Sequence, residues 1–192
     1  LSSLAGFGTM GAAMSGFYEM TGWPDRPPAG VMGAYTDYVS PRYLATTILA
    51  AVDHRNRTGE GQYIDLSQAE SSMHFLAPAV LDYKINGELA PQIGNAHLVL
   101  CPHGAYPSLG DDKWVTIACQ DQESYVRLCE VAGLSEDLKA LELASRRERA
   151  SEIDEAIAKW TTTLTSKEIS ETLQNSGVAA HTVQVAADLV ED

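Results

Sequence analysis

A single acidic residue, Asp37, stands in "GAYTDYVSPRYL" (residues 33–44), between a glycine-containing turn and Ser40-Pro41, a pair that reads as a helix start. A helix N-terminus offers partial positive charge and free N–H groups. A carboxylate beside it keeps its lone pairs available, which suits a nucleophile, a general base or a metal ligand. The same residue also reads as a solvated loop aspartate or an extra cap. A second grouping is His97, Cys101 and His103, an H-x3-C-x-H cluster. As a metal site it lacks a fourth ligand at a structural-zinc spacing. A Cys101–His103 nucleophile pair is no better supported, and Cys101 is expected as a small buried apolar group. "GEGQ" (59–62) lacks the Lys-Ser/Thr of a phosphate loop and reads as a turn. Arg42, Arg55 and Arg57 form the dense basic group of the first half; Arg42, in a first helical turn, hints at an anionic partner.

The elements around these residues follow from local pattern. Residues 9–20, rich in Gly, Ala and Ser, predict a tightly packed helix. Three prolines and several glycines make "GWPDRPPAGVMGAYTDYV" a loop. Ser40 then serves as N-cap and Pro41 as first helical residue, with Leu44, Ile48, Leu49 and Val52 at helical spacing and a stop at Gly59. "QYIDLS" (62–67) predicts a strand, and 68–87 a second helix that Pro78 kinks or shortens. Residues 88–104 form a loop. Two strands follow around a Gly-Asp-Asp turn, Tyr106 in the first and Trp114, Val115 and Ile117 in the second. Helices are expected after Asp121 as cap, over 151–164 starting at Ser151 and Asp154, and over 165–177 with Ser166 and Glu168 at its start. A last strand and the opening of another helix close the chain.

Composition narrows the function classes. The 192 residues carry 45% hydrophobic and 20% charged side chains and a formal net charge of -13. That balance argues against nucleic acid and anionic membrane as partners, since both need a basic face. Three cysteines without CxxC spacing argue for a reducing, cytoplasmic compartment. The opening "LSSLAGFG" has neither an initiator Met nor the charged n-region of a signal peptide, and the expectation is an internal fragment.

Taken as a whole, "DYVSPRYLATTILAAVDHRNRTGEGQYIDLSQAE" resembles the family III CoA-transferases, the group of formyl-CoA and carnitine CoA-transferases. The family pattern is an aspartate, a long Ala/Leu helix, Arg-x-x-Thr-Gly-x-Gly-Gln and a strand of the Ile-Asp-Leu-Ser type. Here these are Asp37, the helix from Pro41, Arg55, Thr58-Gly59, Gly61-Gln62 and Ile64 to Ser67. "GWPDRPPAG", Gly94-Asn95 with "PHGAYPSLGDDKWVTIA", and "SGVAAHTVQVAADLVED" extend the resemblance over nearly the whole chain.

The resemblance implies an α/β fold: residues 1–96 as part of a Rossmann-like large domain, 97–185 as a small α/β domain, and 186–192 as the start of a segment returning to the first. It implies that Asp37 is the nucleophile, attacking an acyl-CoA thioester to give a mixed anhydride and then an aspartyl-CoA thioester. The glycine-rich loop of the family corresponds to Gly94, Asn95, Ala96 and His97 as substrate-binding residues. No metal and no permanently bound cofactor are implied. Coenzyme A enters as a substrate in acyl-CoA, a small carboxylic acid is the acceptor, and the assembly is a homodimer. An acyl-CoA racemase of the same fold is the rival enzyme. It uses a histidine in a Gly-His-Asp segment, and the matching "GFGTMGAAMSG" has Phe7 there, which carries no proton. A non-catalytic truncated folding or dimerisation unit is the second rival.

Overall fold

Glycine and proline punctuate the first part of the chain, and the helices there follow that punctuation. The computed structural model describes residues 6–191, and the chain divides into two units, Leu1–Gly94 and Asn95–Asp192. The first unit opens with α1 (Gly8–Met14) and α2 (Phe17–Met20) in place of one helix over 9–20. The break lies at Gly16, whose φ of 94° is a left-handed conformation that a right-handed helix cannot contain.

The long helix α3 spans Tyr35–Thr58 and ends where expected, with Gly59 at φ 80° returning its N–H to the Arg55 carbonyl. Its start differs from expectation. Ser40 is not the N-cap, and Pro41 lies inside the helix. Proline has no N–H to give to the carbonyl four residues back, so the 41-to-37 helical bond is missing while the helix continues. Tertiary contacts of Thr36 and Ser40, both buried, hold the extra turn in place.

Residues 62–67 do not form the expected strand. A strand persists through its ladder, and every strand among the described residues lies in the second unit and pairs there. Tyr63 is accordingly 92% exposed. Next comes α4 (Gln68–Met73), capped by the Ser67 hydroxyl, which accepts from the Glu70 N–H. A 3₁₀ turn at His74–Leu76 links it to α5 (Ala77–Asn86). That interruption falls where Pro78 removes the donor for the His74 carbonyl, as the sequence leads one to expect.

The second unit is a three-stranded antiparallel sheet with helices packed on it. Strands β1 (His103–Pro107) and β2 (Trp114–Ala118) form the expected hairpin, with Tyr106 opposite Val115, and β3 (Ala179–Thr182) pairs with the other edge of β2. Helix α6 (Gln122–Ala132) carries a capping box: Asp121 accepts from the Ser124 N–H at 2.8 Å, and the Ser124 hydroxyl answers the Asp121 backbone. Two short helices that sequence pattern did not indicate follow, α7 (Glu136–Lys139) and α8 (Leu143–Glu148). Helix α9 (Ala150–Thr161) starts after Arg149 without a side-chain cap, so Ser151 and Asp154 are not its start signal. Helix α10 (Ser166–Asn175) is capped by Thr165, not Ser166, in a box closed by Glu168. The described residues end in α11 (Asp188–Glu191). The mixed helix-and-sheet class expected from the sequence is what forms.

The core of this unit is continuous. Val115, Ile117, Tyr125, Leu128, Ile153, Ile157, Ile169, Leu173 and Val178 are at most 1% exposed. Arg146 is buried with them, its guanidinium 4.3 Å from the Tyr125 ring centroid, a cation–π arrangement. The first unit is different. The helically spaced apolar positions of α3, Leu44, Ile48, Leu49 and Val52, are exposed, as are Leu81 and Ile85 of α5. Among the described residues no helix is long and apolar enough to cross a membrane.

Two outcomes follow from this anatomy. In isolation the 192-residue chain is expected to self-associate through the exposed apolar positions of α3 and α5. Light scattering that finds a monodisperse monomer at high concentration would contradict it. The Asp121 cap is also pH-dependent. The Ser124 N–H, and then its hydroxyl, hold the Asp121 carboxyl below its ordinary value of 3.8. A depressed carboxyl stabilises the fold above its unfolded pKa and loses that contribution as pH falls through the folded one. Asp121→Ala should therefore melt below wild type at pH 7, with the gap closing as the pH drops under 3.8. Asp121→Asn, which caps without ionising, should stay near wild type at neutral pH; a gap for Asp121→Ala that is independent of pH would exclude this account.

Candidate functional site

Two glycines one helical turn apart let α1 approach the start of α3 more closely than any side chain would permit. A Cβ on Gly11 would sit 2.7 Å from the Thr36 hydroxyl oxygen, and one on Gly8 would sit 2.6 Å from both Cγ and Oδ2 of Asp37. In return the Thr36 hydroxyl donates to the Gly8 carbonyl at 3.0 Å. The backbone of α1 thus floors the Asp37 carboxylate. Asp37 itself lies in the first turn of α3, not outside the helix, and its N–H donates to the Ala34 carbonyl at 2.9 Å. The favourable end of the helix dipole therefore acts on the carboxylate directly.

The carboxylate is exposed, and one of its oxygens is engaged: Gln68 Nε2 donates to Asp37 Oδ1 at 2.9 Å. Gln68 is the first residue of α4, and its backbone is anchored. Its carbonyl accepts from the hydroxyls of Ser72 at 2.9 Å, Ser71 at 3.0 Å and Ser40 at 3.2 Å, and the Ser40 and Ser71 oxygens lie 2.8 Å apart. Ser40, expected as a cap, instead ties α3 to α4 one turn beyond Asp37. The site therefore consists of Asp37, Gln68 and Gly8. Sequence pattern singles out Asp37 alone. Gln68 directly follows the Ile-Asp-Leu-Ser run and Gly8 directly follows Phe7, so both adjoin residues that the family resemblance marks, but only contact across 31 and 29 positions gives them a role.

The four expected loop residues are not held alike. Gly94 belongs to the first unit. Its φ is 58°, its N–H donates to the Gly22 carbonyl at 2.8 Å, and an added Cβ would lie 2.7 Å from the Trp23 indole nitrogen. Gly94 is thus required by backbone conformation and by packing on Trp23. Asn95, Ala96 and His97 begin the second unit. The Asn95 carbonyl lies 2.7 Å from His103 Nδ1, and His97 Nδ1 accepts from the N–H groups of Val99 at 3.0 Å and Leu100 at 3.1 Å. In the neutral imidazole this leaves the ring proton of His97 on Nε2. The two rings stand 5.1 Å apart between centroids and close the loop between them.

That geometry also answers the H-x3-C-x-H cluster. The Nδ1 lone pair of His97 is spent on backbone donors, and Cys101 is buried, with burial pushing its thiol upward. A neutral buried thiol is neither a strong ligand nor a ready nucleophile. Cys119 and Cys129 are buried and free as well, and burial pushes the Cys119 thiol up to about 12. Of the basic residues, Arg42 turns its guanidinium to the Tyr38 carbonyl and Arg57 pairs with Asp53 at 3.0 Å.

The chain as a whole has counterparts among known proteins. The family description "CoA-transferase family III" matches residues 1–192. A succinyl-CoA–D-citramalate CoA-transferase of Chloroflexus aurantiacus is 29% identical over 191 residues, covering 98% of this chain and 47% of that protein. A succinyl-CoA:mesaconate CoA-transferase of Haloarcula marismortui is 34% identical over 188 residues, covering 97% of this chain and 46% of its own length. The crystal structure of a CAIB/BAIF family protein from Brucella suis superposes with a TM-score of 0.86 at 27% identity, over 98% of this chain and 50% of that one. The chain thus spans about half the length of the relatives it matches. With the family description matching from its first residue to its last, this chain belongs to CoA-transferase family III.

Proposed function

We propose that the chain carries the nucleophile of a CoA-transferase that moves CoA from an acyl-CoA to a small carboxylic acid through a covalent aspartyl intermediate. The observation that carries this reading is the Asp37 carboxylate: exposed, in the first turn of a 24-residue helix, with one oxygen hydrogen bonded and the other over a glycine. In the reaction an Asp37 oxygen attacks the thioester carbonyl and CoA leaves as thiolate. The thiolate then attacks Asp37 Cγ, the donor acid departs, and aspartyl-CoA remains. The acceptor carboxylate attacks that thioester and expels the CoA thiolate, leaving a second anhydride. The thiolate then attacks the acceptor's carbonyl carbon, so that the new CoA ester departs and the Asp37 carboxylate is restored. Each step trades one activated acyl group for another of similar energy, which is what covalent catalysis contributes here.

The relatives matched are about twice as long, and in this proposal the remaining length supplies the rest of the CoA site. The first unit, Leu1–Gly94, then belongs to the large domain, two residues short of the expected boundary at 96; the small domain follows to about residue 185, and 186–192 lead back to the first. Gly94, Asn95, Ala96 and His97 border the acyl-CoA. Gly94 spends its N–H on the Gly22 carbonyl, so its part in that loop is conformational and it does not serve as a donor. Succinyl-CoA is the proposed donor and a dicarboxylic acid the acceptor, following the names of the relatives in Chloroflexus and Haloarcula. The protein works as a homodimer in the cytoplasm, where its three free cysteines stay reduced. The racemase alternative is disfavoured at Phe7. That residue adjoins Gly8, the neighbour of the Asp37 carboxylate, and offers no proton-carrying group.

The deciding experiment uses the complete protein that contains this segment. Asp37→Ala and Asp37→Asn should both abolish CoA transfer from succinyl-CoA, because an amide is a poor nucleophile, while melting temperature changes little. Wild type treated with acyl-CoA and hydroxylamine should yield a hydroxamate at Asp37 by mass spectrometry. Normal turnover in Asp37→Asn, with no adduct in wild type, would remove the nucleophile assignment and favour a non-catalytic role.

A further inference from the structure

The two oxygens of Asp37 are not equivalent in this fold. Oδ1 receives the Gln68 Nε2–H at 2.9 Å, whereas Oδ2 lies over Gly8, where an added Cβ would be 2.6 Å away. The backbone of Gln68 is anchored beside Asp37, since serine hydroxyls engage its main-chain carbonyl and Ser40, on the same helix as Asp37, is one of them. We propose that Gln68 is a catalytic hydrogen-bond donor of this enzyme: it selects Oδ2 as the attacking oxygen and then stabilises the oxyanion that forms on Oδ1. This rests on the reading of Asp37 as the nucleophile.

The movement of electrons makes the second role follow from the first. Oδ2 forms a bond to the acyl carbon, the C–S bond breaks, and its electron pair leaves on the CoA sulfur. In the resulting anhydride Oδ1 is the carbonyl oxygen of Asp37. When the thiolate adds to Cγ, the π electrons move onto Oδ1, the atom that faces Gln68. Collapse re-forms the Cγ–Oδ1 double bond and breaks Cγ–Oδ2, so the donor acid departs as a carboxylate carrying Oδ2. The acceptor carboxylate adds to Cγ in the same sense and again loads Oδ1. Collapse breaks Cγ–S, and the thiolate then attacks the acceptor's acyl carbon, leaving Asp37 with an oxygen from the acceptor in place of the original Oδ2. A donor aimed at the atom where charge develops, and held before the reaction begins, is the arrangement that lowers such barriers. The proton of Nε2 is never transferred.

The test compares Gln68→Ala and the nearly isosteric Gln68→Glu in the complete protein, with succinyl-CoA and mesaconate as probes. Loss of one oxyanion donor lowers kcat by about 100-fold or more, and KM should change little in Gln68→Ala. Gln68→Glu should be at least as impaired at neutral pH, because it presents an acceptor to Oδ1. It should recover part of its rate as the pH falls and the introduced carboxyl takes up a proton it can donate. A purely structural role predicts no such inversion of the pH profile. If wild type forms the Asp37 hydroxamate but both variants keep full kcat, the assignment of Gln68 is overturned and that of Asp37 stands. If wild type forms no adduct, both fall together.

Discussion

The close approach of α1 to the first turn of α3 is the constraint on which the candidate site depends. Gly8 and Gly11 supply it by having no side chain, and the Thr36 hydroxyl locks it by bonding the Gly8 carbonyl across 28 positions. This contact brings backbone against the Asp37 carboxylate and accompanies a helix start six residues before Pro41. Without it, Pro41 is the natural first helical residue and Asp37 a loop side chain free to rotate. The nucleophile of the proposed reaction is thus aimed by close packing of main chain, and close-packed regions yield little.

A second tie runs from α3 to α4 through serine hydroxyls. Ser40 and Ser72 are buried with their oxygens bonded to the Gln68 carbonyl, and Ser71 shares in the same cluster. Small polar groups suit this place, because a buried hydroxyl is tolerated when its hydrogen bonds are made and costs more than it returns when they are not. The outcome is a short chain of connections, α1 to Asp37 to Gln68 to α3, in which each element restrains the next.

The second unit is built on different terms. Its stability comes from a closed apolar core between a three-stranded sheet and the helices upon it, with capping boxes at Asp121 and Thr165 satisfying helix ends. Among its described residues the first unit has few large buried side chains, leaves Leu49, Ile85 and Tyr63 largely exposed, and gives residues 62–67 no regular structure. Apolar spacing along α3 and β-rich composition at 62–67 are specified locally, yet both need a neighbour before they become a buried face or a paired strand. In the proposed full-length transferase that neighbour is the rest of the protein.

What the sequence by itself determined is what short-range physics controls. Gly59, Gly87 and Gly133 end helices, because only a residue without Cβ takes a left-handed cap at no steric cost. Pro78 breaks the helix it enters, Asp121 caps the next, and alternating apolar residues place β1 and β2 around their turn. The family pattern around Asp37 was legible for the same reason: its residues lie close together along the chain. Tertiary structure alone decided where α3 begins, that residues 62–67 stay unpaired among the described residues, and that Gln68 and Gly8 join Asp37. Each of those outcomes rests on groups far apart in sequence, whose contact energy exceeds a local preference worth about 1 kcal/mol and leaves no periodic trace in the chain.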